Sequence, residues 1–104
     1  MDEPMSNAEI SEKVFRFVCG WFGVTKDEIL SRSRRRVLVD ARMVWCYVMR
    51  CRTDLSLHEL GRMIERTHAS VAYFVTKGSD CEKDRKLNPY CHDAIERVAS
   101  TFSL

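Results

Sequence analysis

The chain has 104 residues and a formal net charge of +2, with 45% hydrophobic and 31% charged residues. A chain of this length can bury well over half of its unfolded surface as one domain, residues 1–104, so no disulfide or metal is needed to stabilise it. The acidic N-terminus, MDEPMSNAE, contains no apolar signal segment, and no apolar run approaches a membrane span. We therefore expect a cytosolic protein.

Two capped helices open the chain. Ser6 and Glu9 match a capping box, and an apolar stripe with a 3.6-residue period runs from there towards Gly23, which ends the helix. A second, shorter helix begins with the same capping pattern at Thr25 and Glu28. The stripe of the first helix is typical of a core-facing surface and consists of Ile10, Val14, Phe17, Val18 and Trp21.

A polar loop and a long helix follow. Ser31–Arg36 reads SRSRRR and has no apolar periodicity, so we expect an exposed loop. From Val37 to Cys51, apolar residues cover most of the circumference of a helix, which is typical of a central element. Asp40, Arg42 and Arg50 leave this helix only a narrow solvent-facing side.

The segment Ser56–Lys77 predicts a helix-turn-helix. Ser56 and Glu59 form a third capping box, and Thr67 can cap a second helix after a short polar turn. We expect Gly61 to let the two helices cross closely. The inward positions of the two helices are Leu57, Leu60, Ile64, Val71, Phe74 and Val75. The outward residues of the second helix suit a DNA major groove, since they are small, polar or basic: His68, Ala69, Ser70, Tyr73 and Lys77.

The last part of the chain predicts an additional helix. Gly78 and the charged run after it indicate a frayed helix end or a linker. Asn88 followed by Pro89 is a typical helix start, and we expect this C-terminal helix to span about residues 89–102. Three of its apolar residues either close the core or form a dimer seam: Tyr90, Phe102 and Leu104.

The positive charge is confined to the middle of the chain. Residues 1–30 carry six acidic and three basic side chains, a net charge of −3, and residues 78–104 carry five and four, a net charge of −1. Residues 31–77 carry ten basic and four acidic side chains, a net charge of +6. Because this excess coincides with the helix-turn-helix, it favours a polyanionic partner.

No catalytic or metal-binding motif stands out. The sequence has no Gly-x-x-x-x-Gly-Lys-(Ser/Thr) phosphate loop, and His58, His68 and His92 are scattered, so we expect neither an enzyme nor a small-molecule substrate. Cys81, Cys91 and His92 match no common zinc spacing, and we expect no cofactor. Three further cysteines lie in apolar helical patterns, where buried, reduced thiols are expected: Cys19, Cys46 and Cys51.

Three short motifs occur in a fixed order: LSRSR at residues 30–34, SLHELG at 56–61 and RTHASV at 66–71. They are similar to three motifs of a known protein family, which read Leu-Ser-(Lys/Arg)-x-Arg, Ser-Leu-x-Glu-(Ile/Leu)-Gly and Arg-Asp-His-(Ser/Thr)-Thr-Val. Roughly residues 12–77 thereby resemble the C-terminal DNA-binding domain of the bacterial replication initiator DnaA. The resemblance implies an all-α, Trp-repressor-like fold, here with an extra C-terminal helix.

The resemblance also implies where double-stranded DNA would bind. Arg34 and its neighbours Arg32, Arg35 and Arg36 would reach the minor groove, whose negative potential is enhanced where A·T pairs narrow it. Arg42 matches a position near the DNA backbone, and the helix start at Ser56 can take a phosphate. Candidate contacts to base edges are Arg66, His68, Ala69 and Ser70, while Thr67 replaces the aspartate of the family. Tyr73 and Lys77 either contact the DNA backbone or have structural roles.

Departures from the family pattern limit what this resemblance implies. Besides Thr67, Ala69 and Ser70 replace a pair of hydroxyl residues, and the turn before Arg66 is one residue shorter and lacks a glycine. The fold and the general activity therefore transfer better than the target sequence. We expect a monomer that binds DNA sequence-specifically, as a replication-initiator-like accessory or regulator without ATPase activity. The alternative is a small helical adaptor whose basic middle segment binds an acidic protein surface or RNA.

Overall fold

The chain is described by a computed structural model that covers residues 5–101. These residues form α1 (Asn7–Phe22), α2 (Lys26–Leu30), α3 (Arg36–Arg52), α4 (Leu57–Ile64), α5 (His68–Lys83), a 3-10 turn (Arg85–Leu87) and α6 (Pro89–Thr101). The predicted all-α class is confirmed. Over the same residues, no helix combines the length and the apolar character that crossing a membrane requires.

Three helices begin at the predicted capping boxes. In α1, α2 and α4 the hydroxyl of the N-cap residue accepts a hydrogen bond from the backbone amide three residues later. The glutamate at that later position accepts one from the N-cap amide in return, so two otherwise unpaired backbone donors are satisfied. The hydrogen bond from the N-cap amide is also the main reason why the pKa of each glutamate carboxyl lies below its ordinary value. The pairs are Ser6 with Glu9, Thr25 with Glu28, and Ser56 with Glu59.

The central position of α3 is confirmed, because it packs against all five other α-helices. Its Trp45 is fully buried and stacks on Phe15 of α1, with ring centroids 4.7 Å apart. Two predictions for α3 are wrong. Arg42, predicted to face solvent, is buried, and Cys51, predicted to be buried, is exposed because the last turn of α3 lies at the edge of the core.

The helix α5 is longer than the sequence predicted. The segment interpreted as a frayed end continues as helix to Lys83. Gly78 is buried against α3, and a Cβ at this position would overlap the Tyr47 side chain, so the glycine permits close packing instead of ending the helix. The Tyr47 hydroxyl donates to the Glu82 carboxylate and thereby fixes the added turns. Tertiary contacts here outweigh the low helix propensity of glycine.

The C-terminal helix α6 covers the core. Asn88 caps it, as predicted, by accepting a hydrogen bond at Oδ1 from the Cys91 amide at 3.1 Å. Tyr90 packs its ring against Trp21 and Phe22 of α1 and donates to the Trp21 carbonyl. The buried face of α6 consists of Cys91, Ala94, Ile95 and Val98. The other two residues of the suggested dimer seam lie outside the described residues: Phe102 and Leu104.

The five cysteines are free thiols in different environments. Cys46 and Cys91 are buried, and burial raises the pKa of both thiols, that of Cys91 to about 12, so both remain protonated at neutral pH. Cys81 is also buried, and its carbonyl oxygen lies 3.0 Å from Nδ1 of His92. Cys19 is only half-buried. The expectation of buried thiols therefore holds for Cys46, holds only in part for the half-buried Cys19, and is wrong for the exposed Cys51.

Candidate nucleic-acid interface

A groove of about 690 Å³ lies between the loop after α2 and the start of α5. Arg32, Ser33 and Arg34 line it from the loop, and Thr67 and Ser70 line it from the helix-turn-helix. We call it the arginine groove. Three apolar side chains contribute to its lining: Leu30, Val39 and Phe74. The groove brings together six of the residues predicted to contact DNA: Arg32, Arg34, Arg42, Arg66, Thr67 and Ser70.

The lining of the arginine groove is positively charged, with four arginines and a single carboxylate, that of Glu65. Arg32 and Arg34 are exposed. Among residues 5–101, neither of them has a carboxylate partner within 4.0 Å. Because no neighbouring acid neutralises them, these two guanidiniums can interact with an external anion such as a phosphate.

The next two arginines differ from Arg32 and Arg34, because each is paired with an acid. Arg35 donates to the Glu28 carboxylate at 2.8 Å, at the border between the loop and α3. Arg36, predicted as a loop residue, is the first residue of α3 and pairs with Asp40 one turn later at 3.2 Å. Both remain exposed, but part of their charge is already balanced within the protein.

Arg42 is the buried arginine of the site, with only 2% of its surface exposed. Its guanidinium donates to the carbonyl oxygens of Ile29 at 2.8 Å, Ser33 at 2.8 Å, Ser31 at 2.9 Å and Glu28 at 3.2 Å. Burial lowers the pKa of this guanidinium, and the nearby positive charge of Arg66 lowers it further. The side chain is committed to the loop backbone, which leaves little of its surface for the predicted contact to the DNA backbone.

Arg66 is also held by backbone carbonyls. Its half-buried guanidinium donates to Ser31 and Leu30 of the loop region and to Ile64 and Glu65 of the turn. A guanidinium has five N–H donors in a fixed plane, so these contacts occupy most of its hydrogen-bonding capacity. This geometry does not fit the predicted contact between Arg66 and base edges.

The turn of the helix-turn-helix contains one strained residue. Glu65 has φ 57° and ψ 47°, a left-handed conformation that no other non-glycine residue adopts within residues 5–101. Glu65 lies in the turn that lacks the glycine of the family pattern, and glycine is the residue that adopts this conformation without strain. Gly61 is closely packed, but against the turn rather than against the second helix as predicted, because a Cβ there would overlap the carbonyl oxygen of Arg66. The Arg66 amide in turn donates to the Gly61 carbonyl at 2.8 Å.

The start of α5 is exposed to solvent. Thr67 caps it by accepting a hydrogen bond from the Ser70 amide at 3.2 Å, and His68 and Ala69 are exposed. The ring of His68 stacks on that of His58 from α4, with centroids 4.1 Å apart and planes inclined by 28°. The prediction that the histidines are scattered is therefore wrong for this pair. Sequence reasoning overlooked His58, although it and His68 both lie in the first turn of a capped helix.

The remaining predicted contacts lie outside the arginine groove. Arg36, Tyr73 and Lys77 line a second cleft, where Lys77 Nζ lies 5.5 Å from the centre of the Tyr73 ring. Tyr73 is 58% exposed. Ser56 caps α4 and is exposed, but the carboxylate of Glu59 sits at the same helix start. An acid at that position competes with an external phosphate for the helix N-terminus.

Comparison with known proteins gives a consistent result over most of the described chain. Residues 11–77 match the family model described as the bacterial DnaA protein helix-turn-helix. This region runs from the second turn of α1 into α5, and it includes both sides of the arginine groove.

Full-length relatives carry the name chromosomal replication initiator protein DnaA. The protein from Oleidesulfovibrio alaskensis is 42% identical over 60 residues, which are 58% of this chain and 13% of that protein. The protein from Pseudothermotoga lettingae is 36% identical over 66 residues, 64% and 15% of the two chains. The protein from Gloeobacter violaceus is 28% identical over 102 residues, which are 96% of this chain and 22% of that protein. The chain thus spans less than a quarter of these relatives, and it belongs to the family of bacterial DnaA helix-turn-helix domains.

Proposed function

We propose that this domain binds double-stranded DNA sequence-specifically, with the first turn of α5 in the major groove and Arg32 and Arg34 in the adjacent minor groove. Membership of the DnaA helix-turn-helix family supports DNA as the partner. The major groove is wide enough to admit a helix such as α5, whereas a narrow minor groove favours inserted arginines.

One observation carries this proposal. Two exposed arginines of the loop, which have no carboxylate within 4.0 Å among residues 5–101, line the same groove as the capped start of α5, although more than thirty residues separate them in the sequence. A single duplex can therefore contact Arg34 and Thr67 at once. An arginine loop on another side of the molecule would be incompatible with this mode of binding.

The proposed contacts fall into two groups. His68 and Ala69 are exposed at the start of α5 and would contact base edges, with the methyl group of Ala69 able to meet a thymine methyl. Tyr73 and Lys77 would lie over the sugar-phosphate backbone further along the helix. Phosphate contacts position a protein on DNA, whereas base contacts select the site.

The proposed biological role is that of an accessory or regulator in replication initiation. The curated relatives are named as replication initiators, but this chain spans only 13–22% of their length. Its 104 residues contain no phosphate loop, so we propose DNA binding without nucleotide hydrolysis for this segment. We also propose that one copy binds one site.

The test is a selection of bound duplexes from a random pool, followed by titration of the enriched duplex at several salt concentrations. We expect an enriched motif and a slope of log K against log salt of about −4 to −5, as for about five neutralised phosphates. Hairpin RNA of equal length and an acidic peptide serve as competitors. Preferential binding to either competitor, without an enriched duplex, would favour the adaptor alternative instead.

A further inference from the structure

Two arginines from different parts of the fold converge on one carbonyl oxygen. Arg42 of α3 and Arg66 of the turn both donate to the carbonyl of Ser31. Within residues 5–101, neither guanidinium has a carboxylate oxygen within 4.0 Å. Their charges are therefore balanced by backbone dipoles rather than by acids.

The acceptors explain why such an arrangement is stable. The last carbonyls of a helix have no partners within that helix, and a loop has no regular hydrogen bonding of its own. Arg42 satisfies the carbonyls of Glu28 and Ile29 at the end of α2 and those of Ser31 and Ser33 in the loop. A planar guanidinium can reach several such acceptors at once, whereas the compact ammonium group of lysine cannot match this geometry.

Arg66 connects this loop to the start of α5. It directly precedes Thr67, the N-cap of α5, and its side chain donates to Ser31 and Leu30 across the groove. Its backbone carbonyl also lies against Gly61 of α4. The position of the loop relative to α5 is thus fixed through one residue that contacts both.

We propose that Arg42 and Arg66 are positioning residues: they fix the backbone of the loop so that Arg32 and Arg34 lie opposite the first turn of α5. This inference rests on the proposed DNA binding, and it assigns Arg66 to the loop rather than to base edges. The loss of either positioning arginine is therefore expected to act through Arg32 and Arg34.

A double-mutant cycle tests the proposal, with the affinities of wild type, Arg66→Gln, Arg34→Ala and the double variant measured on one duplex. We expect each single variant to bind about tenfold more weakly, and the double variant far less than about a hundredfold more weakly, because Arg66→Gln already disturbs the contact that Arg34→Ala removes. Additive losses would overturn the proposal, since Arg66 would then act independently of Arg34. Arg97→Gln, at an exposed arginine of α6, controls for the loss of one positive charge and is expected to change affinity by less than about twofold.

Loop order provides a second readout that needs no DNA. The Ser33 amide donates to the Ser31 hydroxyl and the Arg35 amide to the Ser33 hydroxyl, both at 3.3 Å. In Arg42→Lys, and in Arg66→Gln if the first variant does not fold, we expect faster hydrogen exchange of these two amides and unchanged exchange at Val71 of α5. Exchange identical to wild type would overturn the positioning role. If the wild-type protein bound no duplex, the proposed function would be refuted. Hydrogen exchange would then still decide whether Arg42 and Arg66 fix the loop.

Discussion

The imidazole rings of His58 and His68 stack across the two helices of the helix-turn-helix, with centroids 4.1 Å apart. The contact restricts the orientation of His68 at the exposed start of α5. His68→Ala is expected to cost about 1 to 3 kcal/mol of binding free energy on the preferred duplex and little on unrelated duplexes, because a lost base contact affects only the matching site.

Variants of His58 distinguish the effect of the orientation of the His68 ring from the effect of a direct contact between His68 and DNA. His58→Ala should weaken binding to the preferred duplex less than His68→Ala does, and His58→Phe should restore most of the affinity because it retains an aromatic ring for stacking. Titrations of all three variants on preferred and unrelated duplexes provide the comparison. Equal losses on every duplex in His68→Ala would mean that His68 supports the fold rather than reads a base.

Arg34 is expected to contribute affinity without much sequence preference. Arg34→Ala should weaken binding to all duplexes, most strongly to those with A·T-rich flanks, where the narrow minor groove attracts arginine. Arg35→Ala is the matched control, since the Arg35 guanidinium is already paired with Glu28 at 2.8 Å. Fluorescence anisotropy with flanks of different composition measures both effects. Equal sensitivity of the two variants would argue against a distinct role for Arg34.

Gly61 and Gly20 form a matched pair for stability. Gly61→Ala should lower the free energy of unfolding by about 1 to 3 kcal/mol, because the new methyl group overlaps the backbone carbonyl of Arg66. Gly20→Ala adds a methyl group that meets nothing within 4 Å on the exposed side of α1, and it should stabilise the fold by about 0.5 to 1 kcal/mol. Urea denaturation measures both. A neutral Gly61→Ala would show that the turn can move away without cost.

Glu65→Gly is expected to stabilise the protein. The left-handed conformation of Glu65 costs about 1 to 2 kcal/mol for a residue with a Cβ, and part of the gain is lost because glycine gives the unfolded chain more freedom. We therefore expect a net increase of about 0.5 to 1 kcal/mol in the free energy of unfolding. Glu65→Ala removes the same charge but keeps the strained φ, so it should show no such gain. Equal stabilisation in both variants would attribute the effect to charge.

Stability should decrease in acid because of the three capping boxes. The pKa values of Glu9, Glu28 and Glu59 lie below their ordinary value of 4.5 in the folded protein. A depressed folded-state pKa contributes stability that is present above the ordinary value and is lost as the pH falls through the folded value. Thermal unfolding between about pH 6 and pH 2 should show this loss. Replacing all three glutamates by glutamine should make stability depend less on pH in this range. An unchanged loss of stability in acid would contradict the role assigned to the three glutamates.

The helix starts could be predicted because their signals are local. The side chains of Ser56 and Glu59 form hydrogen bonds with backbone groups only three residues away, so the pattern can be recognised without knowledge of the fold. The 3.6-residue stripes likewise reveal which face of a helix is buried. The groove between the loop and α5 could be anticipated only through the family resemblance, because no local pattern connects Arg34 to Thr67.

The wrong predictions share a physical cause. Arg42 looked solvent-facing because arginine is normally exposed, but free carbonyls from another segment, including those of Ile29 and Ser33, converge on its position. Gly78 looked like a helix end, but the Tyr47 side chain occupies the space where a Cβ would lie. In each case the deciding contact comes from residues distant in sequence, which neither propensity nor periodicity records.

The most direct test is a nuclear magnetic resonance titration of the labelled protein with the selected duplex. We expect the amide signals of Arg34 in the loop and of His68 and Ala69 in α5 to shift together and to saturate at one duplex per protein. Signals of the exposed α6 residue Arg97 should remain unchanged. Shifts restricted to the loop or to α5 alone, or centred on α6, would contradict simultaneous binding of the loop and the helix to one DNA molecule.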